Sequence, residues 1–101
     1  MSSHANRVVT RKITGKGADF EIFLGFKARW VRLENETTQG SVLKTDTMDG
    51  KFARVEVAAG DKTFVDNVME IQGDRVVLFG AAAINVAGES IHLVAAEGRN
   101  E

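Results

Sequence analysis

Gly25-Phe26-Lys27-Ala28-Arg29-Trp30-Val31-Arg32-Leu33-Glu34-Asn35 reads as a strand entered through a glycine and left through an asparagine. Val31 and Leu33 fall on one face, and Trp30, Arg32 and Glu34 on the other. Successive strand side chains point to opposite faces, so one side of this segment is written for a core and the other for water. The segment also holds the single tryptophan of the chain.

The same period extends to either side. Upstream, Val8-Val9-Thr10-Arg11-Lys12-Ile13-Thr14 is rich in β-branched residues and reads as a first strand. Gly15-Lys16-Gly17-Ala18-Asp19 turns the chain, and Phe20, Ile22 and Leu24 then line one face. Downstream, Glu36-Thr37-Thr38-Gln39-Gly40 turns into a strand at Ser41–Thr45. Asp49-Gly50 is a turn pair leading to a strand at Phe52–Ala58. Ala59–Lys62 turns again. Short strands follow at Thr63–Val65 and Val68–Ile71, with a hairpin turn at Gln72-Gly73-Asp74. Arg75–Phe79 is apolar on both faces, as a central strand would be. Gly80–Gly88 is a small-residue connection whose three alanines suffice for one helical turn at most. Glu89–Ala96 closes the fold with Ile91, Leu93 and Ala95 facing inward.

These elements predict an all-β chain, a single antiparallel β-sandwich or barrel of about seven to eight short strands. Residues 1–6 are expected to be a flexible arm, 7–96 the β-sandwich domain, and 97–101 a charged tail. A length of 101 residues is one domain with one core. The formal charge of -1 disfavours a nucleic-acid partner held by bulk positive charge. No run reaches the roughly 20 apolar residues of a membrane-spanning helix. The polar start Met1–Arg7 lacks the apolar run of a secretory signal, so synthesis and folding in the cytoplasm are expected. With no cysteine, disulfides and thiolate metal sites are excluded.

Reactive chemistry is hard to place. His92 alternates with Ile91 and Leu93 on the last strand, with no second histidine at ligand spacing. It reads as a half-exposed strand residue hydrogen-bonded to a neighbour. Asp46, Asp49, Asp61, Asp66 and Asp74 sit in or beside turns. Asp46-Thr47-Met48-Asp49-Gly50 has the look of a calcium loop without the remaining ligand pattern. Gly15-Lys16-Gly17 shares the composition of a phosphate loop but precedes no helix. No catalytic residue, metal ligand or cofactor site is expected. Arg7, Arg11, Lys12 and Lys16, with Lys27, Arg29 and Arg32 around Trp30, are diluted by Glu21, Glu34 and Glu36 and read as a salt-bridged, solvated face. Phe23, Trp30 and Phe79 lie opposite the inward set. With Arg29 and Arg32 they form the candidate interaction surface, covered either within the chain or by a partner.

The Gly25–Asn35 stretch resembles the G-F-x-P-x-x-V-x-V-x-N segment of small bacteriophage and prophage virion proteins. Asn85-Val86-Ala87-Gly88-Glu89-Ser90-Ile91-His92-Leu93-Val94-Ala95 is similar to their closing N-x-x-G-x-x-x-H-x-x-A segment. Ala28 stands where many members carry proline, and Gly80-Ala81-Ala82-Ala83 lacks their frequent aspartate. The resemblance implies a virion component of the capsid decoration (cement) type. Such a protein, made in the host cytoplasm, would sit on the capsid surface, bound to the major capsid protein and to neighbouring copies of itself as a homotrimer. The same features are reminiscent of H-type lectin domains, which implies as the alternative a tail- or fibre-associated module binding a host glycan through Trp30, Arg29, Arg32 and Glu34. Gly25, Asn35, Asn85 and Gly88 have a scaffold reading. Gly25 permits a bend, Asn35 and Asn85 hold the turns that follow them, and Gly88 takes positive φ before the last strand.

Overall fold

The computed structural model describes residues 7–98. These form nine strands and no helix: β1 (Val8–Thr14), β2 (Phe20–Phe23), β3 (Ala28–Asn35), β4 (Ser41–Thr45), β5 (Ala53–Glu56), β6 (Lys62–Val65), β7 (Met69–Gln72), β8 (Arg75–Leu78) and β9 (Ser90–Glu97). The chain is all-β. Every pairing is antiparallel, in a six-stranded sheet ordered β1-β9-β3-β4-β5-β6 and a three-stranded sheet ordered β2-β8-β7.

The core lies between the two sheets and follows the alternation. Val31, Leu33, Val42, Ile91, Leu93 and Ala95 face inward from the large sheet, meeting Ile22, Met69, Val76 and Leu78 from the small one. β8 is the middle strand of the small sheet, and Val76, Val77 and Leu78 are all buried. Its doubly apolar sequence has that cause. The 80–88 connection makes two successive tight turns, with the Ala82 amide on the Phe79 carbonyl and the Asn85 amide on the Ala82 carbonyl. They drop Ala82 and Ile84 into the core.

The founding stretch departs from a plain strand at one point. Phe26 and Ala28 are inward, yet so are Val31 and Leu33, three and five residues after Ala28. The β3–β9 register shifts between Ala28 and Trp30. Arg29 is the extra residue of a β-bulge, which changes the phase so that both apolar sets face the core. The expected boundary at residue 96 is also corrected. β9 continues to Glu97, whose carboxylate pairs with Arg7 at 2.9 Å and whose backbone amide donates to the Arg7 carbonyl. The ladder to β1 and this side-chain pair keep the strand going. The expected arm (1–6) and the remaining tail (99–101) lie outside the described residues.

Candidate interaction surface

Two buried asparagines fasten the loops at one end of the sandwich. Asn35 follows the last outward residue of β3, and its Oδ1 accepts from the amides of Thr37 (2.7 Å) and Thr38 (3.0 Å), holding the turn that follows it. Its Nδ2 donates to the Ile84 carbonyl and to Glu89. Asn85 works differently from the expectation that it holds its own turn. Its Oδ1 accepts from the amides of Lys16 (2.9 Å) and Gly17 (3.0 Å), and its Nδ2 donates to the carbonyls of Ala18 and Phe79. The Gly15–Ala18 loop thus has its converging amides filled by an internal side chain. That accounts for its phosphate-loop composition without a ligand.

Gly15 is needed there for closeness. A Cβ would lie 2.3 Å from the Val86 carbonyl oxygen, so only a bare backbone can pass. Gly88 has φ +84 in the turn before β9, and Gly25 has φ +84 at the bend before β3, both as expected of left-handed positions.

The calcium-like loop is a cation site of another kind. Lys44 is 1% exposed. Its ammonium donates to the carbonyls of Met48 (2.9 Å), Asp49 (3.3 Å), Gly50 (2.8 Å) and Phe52 (2.6 Å). The loop curls round a positive charge that the chain itself supplies. Burial pushes the Lys44 pKa below its ordinary 10.5, while Glu70, Asp49 and Asp66 pull it back. The signal for this was present in the sequence. In Ser41–Thr45 the inward parity of Val42 passes to Lys44, and a charged residue on the core face must find partners.

Beyond these fastenings lies the solvent face of the large sheet. Cross-strand register aligns Arg32, Leu43, Arg54 and Phe64 in one row, and Glu34, Ser41, Glu56 and Lys62 in the next. With half-buried Trp30 and Thr45, most of these residues line a shallow groove of about 540 Å³. Arg32 pairs with Glu34 at 3.1 Å. Among the described residues no carboxylate pairs with Arg54.

Of the residues expected to share a surface, Trp30 and Arg32 meet in this groove. Arg29 is exposed at the bulge beside them. Phe23 is 62% exposed, but on β2, in the other sheet. Phe79 follows β8 and is half-buried with the Lys51 ammonium over its ring at 5.0 Å. A single patch of Phe23, Trp30 and Phe79 is therefore not formed, because Trp30 is in the large sheet while Phe23 and Phe79 lie at opposite ends of the β2–β8 pair in the small one. The larger apolar exposure was missed: Phe52, Val57, Phe64 and Val65, all on or beside the β5–β6 hairpin. β6 has no half-buried residue at all, and Phe64 is 66% exposed.

The basic residues near the start are engaged locally. Arg7 lies over the Phe26 ring and pairs with Glu97, Lys16 lies over Phe20, and Arg11 donates to the Phe23 carbonyl. His92 is bonded through Nε2 to Glu36, as a strand histidine with a neighbouring partner. That bond holds the Glu36 carboxyl below its ordinary range. Among the described residues, no group of three potential metal ligands converges and every buried side-chain polar atom has a hydrogen-bond partner. The chain matches no protein-family model, no curated protein and no solved structure.

Proposed function

We propose that the chain is a structural bacteriophage virion protein of the capsid decoration type, binding the shell of major capsid protein from its outer surface. One observation carries this reading: exposed apolar side chains, densest at the β5–β6 hairpin, also occur on other surfaces of a cross-tied sandwich. Val8 (58% exposed) is on one edge strand of the large sheet, Phe64 on the other, and Phe23 on the small sheet. A protein that embraces one small ligand concentrates its apolar surface in one concavity. One that braces several neighbours needs contact points on several sides. The resemblance of the Gly25–Asn35 and Asn85–Ala95 segments to virion proteins supports the same reading. Purified protein mixed with capsids lacking it should co-sediment and raise the temperature at which the shells open. Recovery of all the protein in the supernatant, with shell stability unchanged, contradicts it.

A second reading is favoured by the groove. Trp30 offers an aromatic face beside Arg32 and Arg54, the kind of surface on which a sugar ring stacks and is oriented by hydrogen bonds. A glycan array probed with the wild type and Trp30→Ala tests this lectin-like role. Binding that disappears in the variant supports it, and no binding, or binding indifferent to the change, removes it.

A further inference from the structure

The free edge of β6 has a handed, numbered set of hydrogen-bonding groups, and these select one way of pairing. The Val57 amide donates to the Asp61 carbonyl at 3.1 Å, in line with the β5–β6 register that pairs Glu56 with Lys62, Val55 with Thr63, Arg54 with Phe64 and Ala53 with Val65. In an antiparallel ladder, hydrogen-bonded and non-hydrogen-bonded pairs alternate. Val57/Asp61, Val55/Thr63 and Ala53/Val65 are therefore the bonded pairs. The backbone groups of Lys62 and Phe64 point away from β5, toward open solvent.

This edge carries few of the usual deterrents to pairing beyond its four-residue length and one charge. It has no proline and no bulge, and a single lysine is its one charge. Its side chains are also poorly covered. Phe64 stands on the outer face, and Val65 on the inner face is 40% exposed.

We propose that β6 pairs antiparallel with β6 of a second copy about a two-fold axis at Phe64, joining the two large sheets edge to edge. The parity of the free groups requires that outward-bonding residues oppose each other, which leaves few two-fold registers. Centring on Lys62 sets like charges face to face. Centring on Thr63 places Lys62 opposite a phenylalanine, and leaves Asp66 opposite a glycine in the turn. Centring on Phe64 sets Phe64 against its own copy, with mutual backbone bonds, and places Lys62 opposite Asp66 of the partner chain on both sides of the axis. Lys62 and Phe64 share the outer face, and Asp66 lies one residue past the end of β6, so that extending the ladder by that residue sets the two ion pairs on either side of the aromatic pair. One Asp66 oxygen holds the Asn67 amide at 2.8 Å, and the other has no hydrogen-bond partner among the described residues. On the inner face the same register sets Val65 against Thr63. Bonding parity thus narrows the registers to a few, and charge complementarity selects the one centred on Phe64. This inference goes beyond the decoration reading and does not rest on it, since a paired edge is compatible with either proposed role.

The test is the solution mass of the full chain by sedimentation equilibrium across micromolar to submillimolar concentration. The wild type should reach twice the 11.0 kDa of one chain. Phe64→Pro removes an amide that is unbonded in the single chain, a position at which edge strands accept proline, and should weaken pairing by about tenfold or more. Lys62→Asp and Asp66→Lys each place like charges across the axis and should weaken it by several-fold. The double exchange restores opposite charges and should recover most of the association. If Phe64→Pro lowers the melting temperature of the single chain, the charge-exchange series decides alone. A monomer at every concentration, a trimer, or a dimer unaffected by the proline and by the exchange overturns the proposal.

Discussion

The two edges of the large sheet are built to opposite ends. β1 is seven residues long, with Val9 and Ile13 packed on the core, and Arg11 reaching across to the Phe23 carbonyl in the other sheet. Its start is tied through Arg7 to Glu97, and the loop after it is pinned by Asn85. β6 is four residues long, leaves Phe64 66% and Val65 40% exposed, and is hydrogen-bonded into the sheet through β5 alone. One edge strand is fastened to the body by its side chains, although its outer backbone groups at Val8, Thr10, Lys12 and Thr14 have no strand partner either. The other is left for something else to close, and this difference tells stabilising surface from surface kept available.

The base of the open side should be the most sensitive to mutation. Lys44 fixes the loop that launches β5, so Lys44→Met, which keeps the bulk and removes the charge, takes the ammonium from four inward carbonyls, of which that of Asp49 keeps the Phe52 amide. A loss of about 3–5 kcal/mol is expected in urea unfolding, with faster amide exchange through 46–56. On the closed side, Asn85→Ala strips the partner from the Lys16 and Gly17 amides and the Ala18 carbonyl, while the Phe79 carbonyl keeps the Ala82 amide, and should cost about 2–3 kcal/mol by the same measurement. At the open edge, Phe64→Ser should change the unfolding free energy of the dilute protein by no more than about 0.5 kcal/mol, since the ring is already in water. A large loss there would mean that β6 is part of the closed structure after all.

The smallest effect concerns the ion pairs on the closed side. Glu97, bonded to Arg7, and Glu36, bonded to His92, both have folded pKa values below 4.5. Over the interval below 4.5 the unfolded chain binds more protons than the folded one. Their contribution is therefore present above 4.5 and is lost as the pH falls through the folded values. Melting temperature followed from neutral to acid pH should fall in that interval. Glu97→Gln should make the fall shallower, and an unchanged profile would remove the pair from the account.

Much of this contrast was legible in the residues, and what was not has a physical cause. The alternation in Gly25–Asn35 and Glu89–Ala96 identified the inward sets, because burial on one face is the strongest local constraint a strand obeys. The turn glycines were legible for the same local reason. The bulge at Arg29 was not, since an extra residue is recognised only against a partner strand. Lys44 was overlooked because its charge argued for the surface while its parity argued for the core, and parity won once four carbonyls could surround it. Asn85 was assigned to its own turn, whereas it bonds a loop almost seventy residues earlier, a distance at which local pattern is silent. The standing of β6 as a free edge depends on strand order, and period-2 alternation carries no information about order.

Amide hydrogen exchange at Phe64, compared with Thr63 and followed as protein concentration is raised, tests the open edge most directly. The Thr63 amide is bonded to Val55 within the chain and should exchange slowly at every concentration. The Phe64 amide should exchange freely in dilute solution and become protected as concentration rises. Rapid exchange at Phe64 throughout, or slow exchange already in the most dilute sample, would contradict an edge that is open in one chain and closed by a second.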